Sequence, residues 1–251
     1  MTPDTCGRIL VIIPAWNEAA VIGRVVGDLL KTGGAFHDQM DVLVIDDGSS
    51  DDTRVMARSA GAEVLTMVEN LGYGYALQTG YRVGWQENYA YIVQMDGDGQ
   101  HAPESIPGLL APVLAGECDV AIGSRGLSDA KYPMPLPRRV GQKIFGFLLR
   151  CLSGLEIKDP TSGFQAINRR ALGLYLTDDF PGDYPDANML LYLRLNGIKI
   201  REVPAIFRVN DRGKSMHGGF VKPVYYIYKM TLSMLLIYLR HRRNGTRAGT
   251  P

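Results

Sequence analysis

The sequence has no excess of one charge, few cysteines, no long apolar run and no phosphate-binding glycine loop. Its 27 Lys/Arg against 26 Asp/Glu leave a net charge of +1. A dedicated nucleic-acid binder is normally basic, so a nucleic-acid partner is not expected. Cys6, Cys118 and Cys151 show no paired spacing, which excludes a disulfide framework or a zinc knuckle and suits a reducing compartment. Ile9–Ile13 is closed by Pro14 and is too short for a signal-peptide core, so no leader is expected. The longest apolar stretch, 224–239, is interrupted by Lys229, Thr231 and Ser233 and is too short for a membrane span. No G-x-x-x-x-G-K-[ST] occurs, and Gly72-Tyr73-Gly74 is only a fragment of a dinucleotide fingerprint that does not close the first strand. Neither a P-loop nor a nicotinamide site is expected.

What is present is a globular composition, 46% hydrophobic and 21% charged over 251 residues, suited to one domain or one with an appendage. The near-neutral total divides unevenly. Residues 1–198 hold 16 basic and 24 acidic side chains, a balance of −8, and residues 199–251 hold 11 and 2, a balance of +9. An acidic body with a basic end predicts partners of both signs.

Along the chain, short β-branched runs alternate with helical spacing. Strands are expected at Ile9–Ile13, Val42–Ile45, Glu63–Val68, Tyr91–Met95 and Val120–Ile122. Asn17 is a candidate N-cap for a helix stopped by Gly33-Gly34. Asp51 or Ser50 can cap a second running to about Ala60, and further helices follow from Gly72 to about Asn88 and over Ser105–Ala115. This rhythm predicts an open, mostly parallel sheet covered on both faces, with ligands beyond the carboxyl ends of the strands.

Polar clusters stand at those ends: Pro14-Ala15-Trp16-Asn17-Glu18, Asp46-Asp47-Gly48-Ser49 and Asp96-Gly97-Asp98-Gly99-Gln100-His101. Turn and cap chemistry explains any one of them. It explains Asp96, Asp98 and Gln100 poorly, because three oxygen-bearing side chains alternate there with glycine. Such a set suits Mg²⁺ or Mn²⁺ held against substrate phosphates. His101 is expected to be a structural hydrogen-bonding residue.

Together with Asn70-Leu71-Gly72-Tyr73-Gly74, Gly123-Ser124-Arg125 and Asp159-Pro160-Thr161-Ser162-Gly163-Phe164-Gln165, these clusters resemble the signature of family 2 glycosyltransferases. The narrower likeness is to the branch of dolichol-phosphate mannose synthases and bacterial polyprenyl-phosphate glycosyltransferases, over about residues 8–218. The resemblance implies an α/β fold of the GT-A (Rossmann-like) type and inverting transfer of a sugar from a nucleotide diphosphate-sugar to a polyprenyl phosphate. It implies Asp96, Asp98 and Gln100 as ligands for Mg²⁺ or Mn²⁺. Pro14, Trp16, Glu18 and Asp46 would contact the nucleoside, with Asp47 and Gly74 nearby, and Trp16 replaces the usual tyrosine. Arg125 and Ser162 would lie near donor or acceptor phosphate, and Arg138 or Arg139 would meet the lipid phosphate. Gly141-Gln142-Lys143 stands where the branch has a serine. A closing loop would contain Arg208, Arg212, Lys214 and Ser215.

Elementary chemistry narrows the catalytic need. A sugar hydroxyl requires a general base, whereas a phosphate monoester is already largely ionised, its second pKa being about 6. Asp159 and Asp186 are candidates for a base or an orienting carboxylate, although Asp159-Pro160 can equally start a turn. The alternative reactions are transfer to a saccharide hydroxyl and, from another class, non-catalytic docking to a membrane.

Residues 131–150 carry Lys131, Arg138, Arg139, Lys143 and Arg150 with no acid, interleaved with apolar side chains. That pattern suits an anionic membrane surface. After Pro223, a mostly apolar helix is expected, with Lys222, Lys229, Ser233 and Arg240 within about 40° of one another. It reads as an interfacial helix or an oligomer contact. The expected organisation is a catalytic domain over 1–218, this amphipathic helix over 219–243 and a disordered tail over 244–251. The expected setting is cytoplasmic and peripheral to the membrane, with a separate small membrane protein or a second copy as possible partners.

Overall fold

The computed structural model describes residues 7–32, 39–128, 134, 136–182, 184–208 and 221–247. Strand β1 spans Ile9–Ala15, β2 Met40–Asp46, β3 Glu63–Thr66, β4 Tyr91–Gln94, β5 Val120–Ser124, β6 Gln165–Asn168 and β7 Ile200–Pro204. Helices α1 to α8 span Ala19–Thr32, Thr53–Ser59, Tyr73–Gln86, Ile106–Leu114, Leu136–Ser153, Arg169–Tyr175, Ala187–Leu195 and Val221–Arg247. The seven strands form one sheet in the order β3-β2-β1-β4-β6-β5-β7.

The apolar runs became central strands because both their faces are covered. Along β1, Ile9, Val11 and Ile13 enter one core with α1, α2 and α4, while Leu10 and Ile12 enter the other with α3 and α5–α8. Period-two alternation therefore divides a continuous apolar strand between two cores.

The five expected strands are all present. Two were not identified from the sequence, and one of them alters the topology. β6 runs antiparallel to both β4 and β5, pairing Gln165 with Gln94 and with Ile122. The residues that precede β6 therefore arrive at the edge where the parallel strands end. That reversal is how the 159–164 segment joins the loops after β1, β2 and β4.

One cap assignment changes. Asn17 does not cap α1; its backbone has φ 55°, and its side chain accepts hydrogen bonds from the Ser50 N–H and hydroxyl. The first turn of α1 is held from outside: the Ala19 N–H donates to Asp51 and the Glu18 N–H to the Thr53 hydroxyl. Asp51 also accepts the Thr53 N–H, so one carboxylate ties the starts of α1 and α2 together.

The carboxyl-terminal helix belongs to the same body. Met230 and Met234 are buried in the core with α5 and α7, and the helix continues to Arg247, four residues into the segment expected to be a tail. Within its polar stripe Ser233 meets Asn188 of α7, whereas Arg240 is exposed and pairs with an exposed Asp179 at 3.5 Å. Val224, Tyr225, Tyr228, Leu232, Leu235, Leu236 and Leu239 are the exposed side. No helix among the described residues is long and apolar enough to cross a membrane.

Candidate active site

The loop after β2 is set by three residues. Gly48 has φ +64°, and a Cβ there would lie 2.6 Å from the Glu69 carbonyl carbon, so only glycine fits. The Asp47 carboxylate accepts the Leu71 and Gly72 N–H groups, both at 2.9 Å. Asp47 thus shapes the 70–72 turn. Asp46 is different. It is fully buried, and its Oδ1 accepts the Ser49 N–H at 3.1 Å, but its Oδ2 is a buried acceptor with no partner. A buried polar atom without a partner calls for a reason, and a ligand donor supplies one. Trp16, on the adjoining loop, is 54% exposed and offers a large apolar ring. Pro14 lies near the end of β1 beside Ile45, and Glu18 precedes α1, its carbonyl accepting the Val21 and Ile22 N–H groups. Gly74 serves close packing, since a Cβ there would come within 2.1 Å of the Gly182 carbonyl oxygen.

Beyond β4, a buried polar relay fixes the first carboxylate of the proposed metal set. The Tyr81 hydroxyl donates to Gln94 at 2.5 Å, Gln94 donates to the Tyr73 hydroxyl at 3.0 Å, and Tyr73 donates to Asp96 Oδ1 at 2.7 Å. The Asp96 N–H donates to Nδ1 of His101 at 3.0 Å, so the imidazole accepts at that nitrogen. Burial pushes the His101 pKa down to about 3, and the ring stacks on Phe164 at 4.8 Å. His101 is therefore the neutral structural residue expected from the sequence. Asp98 accepts from both the backbone N–H and the side-chain amide of Gln100. Burial raises the pKa of both Asp96 and Asp98, and for Asp98 the charge of Asp96 adds to it. Two buried carboxylates of raised proton affinity, with a side-chain amide beside them, are a donor set that a hard divalent cation would relieve.

Across the site, Arg125 and Asp159 form a buried pair. Arg125 Nε lies 2.7 Å from Asp159 Oδ2, with side-chain exposures of 4% and 1%. Asp159 also accepts the Arg125 N–H at 3.2 Å and the Gln142 amide at 2.5 Å, while the guanidinium lies 4.6 Å from the Phe207 ring centre. Asp159 is thus occupied in fixing Arg125, and it is not a free base. Ser162 is buried and donates to the Gly123 carbonyl at 2.5 Å, so its hydroxyl holds a turn. Arg208 pairs with Asp28 at 3.0 Å and Glu104 at 2.7 Å, which places it behind the 96–101 loop against α1 and away from the phosphate role expected of it. Arg212, Lys214 and Ser215 lie outside the described residues.

Asp186 precedes α7. Burial raises its pKa to about 6, against a hydrogen bond from the Tyr226 hydroxyl that lowers it; Asp96 raises it further, and Arg138 and Arg125 lower it. Arg138 and Arg139 are both exposed on α5, and the charge of Arg138 lowers the pKa of both Asp96 and Asp186, which puts Arg138 on the site's side.

Sequence reasoning missed Gln142, Tyr73 and Tyr226. Gln142 was open to discovery because it lies four residues after Arg138, on the same helical face. Tyr73 stood within a recognised motif. The contact of Tyr226 crosses 40 residues and left no local signal.

Residues 10–175 match the family described as Glycosyl transferase family 2. The chain is 33% identical to the polyprenol monophosphomannose synthase of Mycolicibacterium smegmatis over 84% of its own length and 82% of the relative's. It is also 33% identical to the undecaprenyl-phosphate mannosyltransferase of Micrococcus luteus, over 85% and 89%. Among solved structures, glucosyl-3-phosphoglycerate synthase of Mycobacterium tuberculosis with Mn²⁺ and UDP-glucose superposes with a TM-score of 0.66 at 22% identity, over 94% of this chain and 80% of that one. That likeness is one of fold. Carboxylates and a buried orphan acceptor at the edge of a mostly parallel sheet, together with the family match over most of the chain, identify this protein as a member of glycosyl transferase family 2 and a glycosyltransferase.

Proposed function

We propose that this glycosyltransferase moves a sugar, with inversion, from a nucleotide diphosphate-sugar to a polyprenyl phosphate at a membrane surface. The observation that carries the acceptor assignment is Arg138: a cation whose charge reaches Asp96 and Asp186 stands on a helix that also exposes Leu136, Val140 and Phe147. A phosphate on an apolar chain needs both features. The names of the two mannosyl transferases above support the same acceptor class.

In this reading Trp16 stacks on the base, and Asp46 Oδ2 accepts a ring N–H. Asp96, Asp98 and Gln100 would hold Mg²⁺ or Mn²⁺, and the structural neighbour bound to Mn²⁺ and UDP-glucose supports a divalent ion. Bound there, the ion would neutralise charge on the leaving diphosphate. The Tyr81–Gln94–Tyr73 relay keeps Asp96 oriented. Arg138 places the acceptor phosphate, one oxygen of which attacks the anomeric carbon as the bond to the diphosphate oxygen breaks and its electron pair leaves with the nucleotide. Asp186, with a pKa near 6, orients the acceptor or takes its remaining proton. The same pKa also suits a base for a saccharide hydroxyl, which is the second reading.

A panel of labelled UDP- and GDP-sugars with polyprenyl phosphate tests the assignment, reading label that partitions into the organic phase. Transfer to a soluble sugar acceptor with none to lipid phosphate refutes it. The exposed apolar side of α8, with Leu136 and Phe147 of α5, supports peripheral attachment to anionic lipid or to a small membrane protein.

A further inference from the structure

Asp186 occupies the N-cap position of α7, where an aspartate ordinarily accepts a helix N–H, yet its side chain makes no such bond. Asn188 does that work instead: its Oδ1 accepts the Asp186 N–H at 3.0 Å and the Met189 N–H at 2.8 Å. The Asp186 carboxylate is thus released from its helix. It is taken by α8, whose Tyr226 hydroxyl donates to Oδ2 at 2.5 Å. The Asn188 amide in turn donates to Ser233 of α8 at 3.0 Å.

Tyr226 and Ser233 are seven residues apart, two turns, and so share one face. Met230 and Met234 lie between or beside them and are buried in the core. The Tyr226 ring is fixed edge-on by Tyr184 at 5.2 Å and by Phe145 of α5 at 5.7 Å. The opposite face of the helix is the exposed apolar strip of Tyr225, Tyr228, Leu232, Leu235, Leu236 and Leu239. One rigid element therefore touches Asp186 with one side and presents apolar surface with the other.

We propose that Tyr226 and Ser233 are positioning residues for the Asp186 carboxylate, so that the helix offering its apolar strip to a membrane also sets the geometry of the reacting centre. Tyr226 acts directly, and Ser233 acts through Asn188 on the backbone of Asp186. A tyrosine–aspartate pair held for packing alone would be matched by an apolar pair of similar volume; here the aspartate remains titratable close to neutrality and within the field of Asp96, Arg125 and Arg138. The proposal rests on the transferase reading.

The test uses the full chain as wild type, Tyr226→Phe, Ser233→Ala and Asp186→Asn. Each is assayed on polyprenyl phosphate in anionic vesicles from about pH 5 to about pH 9, with thermal unfolding measured alongside. Tyr226→Phe is expected to keep its donor KM and lose about 10-fold in kcat, the worth of one hydrogen bond to a charged group. Its acid limb should move up by about one pH unit, because the bond that lowers the Asp186 pKa has gone. The other charged or titratable groups acting on Asp186 or on Tyr226 (Asp96, Arg125, Arg138, Tyr184), and Tyr73, on which Asp186 acts, are unaltered in that variant. Ser233→Ala should lose about 3-fold in kcat with donor KM again unchanged. A Tyr226→Phe enzyme with wild-type kcat and an unmoved acid limb overturns the proposal. If Tyr226→Phe does not fold, unchanged kcat in Ser233→Ala does the same. If the wild type transfers no sugar to any polyprenyl phosphate, the transferase reading is what fails; the Asp186 carboxyl titration, followed by NMR in wild type and Tyr226→Phe, then decides, and identical midpoints overturn the proposal.

Discussion

Replacing Asp159 by alanine should destabilise the protein far more than an ordinary surface change. The carboxylate it removes is 1% exposed and pairs with an arginine that is 4% exposed. After the deletion Arg125 keeps the Thr161 carbonyl at 3.4 Å, the face of Phe207 and the charges of Asp96 and Asp186, but it loses the carboxylate 2.7 Å away. The Gln142 amide loses its acceptor as well. Breaking a buried pair by deleting one partner costs about 3–5 kcal/mol. In a chain of this size each kcal/mol moves the melting temperature by about 2–4 °C, so the loss should be about 10 °C. Differential scanning calorimetry measures it. The decisive control is the double variant Asp159→Leu with Arg125→Met. An apolar pair of similar volume is often neutral in place of a buried ion pair, so the double variant should recover most of the stability without recovering sugar transfer. A shift of less than about 2 °C in Asp159→Ala, or a double variant as unstable as the single one, would show that the pair is not what holds this corner together.

Asp186→Asn should abolish or cripple transfer while changing the pH dependence of folding. The folded-state pKa of Asp186 is raised to about 6, so the native state holds a proton that the unfolded chain has released, and wild-type stability falls as pH rises from about 4 through about 6. The asparagine variant lacks that fall; urea midpoints at about pH 5 and pH 8 that change equally in both proteins would refute the assignment. Serine at Leu235 and Leu239 should weaken binding to anionic vesicles without unfolding the protein. Both leucines are about half exposed, so each forgoes about 1 kcal/mol of burial, or about 30-fold together; unchanged vesicle co-sedimentation contradicts the membrane role of α8. Chelation should stop transfer and Mn²⁺ should restore it, but not in Asp98→Ala, and full activity in a chelator excludes Asp96, Asp98 and Gln100 as the ion's ligands.

The first half of the fold was legible because Ile9–Ile13, Val42–Ile45 and Tyr91–Met95 are apolar runs ended by polar clusters, and parallel strands covered on both faces read in that way. β6 and β7 are four and five residues long, with little to distinguish them, and pairing direction is a tertiary property. Among the candidate site residues, the clustering of Asp96, Asp98 and Gln100 after β4 and of Trp16 after β1 was legible from spacing alone. The roles of Asp47, Ser162 and Arg208 were not, since a motif gives the residue type and the fold decides which neighbour claims it. On α8 the sequence shows that Ser233 is polar but not that Asn188, 45 residues earlier, is its partner.

The reversed strand has a consequence for how this chain is made. Strands β1 to β4 are complete by residue 94 and can pair as they leave the ribosome, but β5 has no bonded neighbour in the sheet until β6 has been synthesised. Ribosomes add about 5–20 residues each second, so β5 waits several seconds for its inner partner and longer for β7. Until then the nascent chain carries a half-sheet with β4 as an open edge, next to the acidic loop that β4 feeds. Closing that edge is the same event that carries Asp159 and Arg125 to their places, so the loops after β1, β2 and β4 can form before the Arg125–Asp159 corner does.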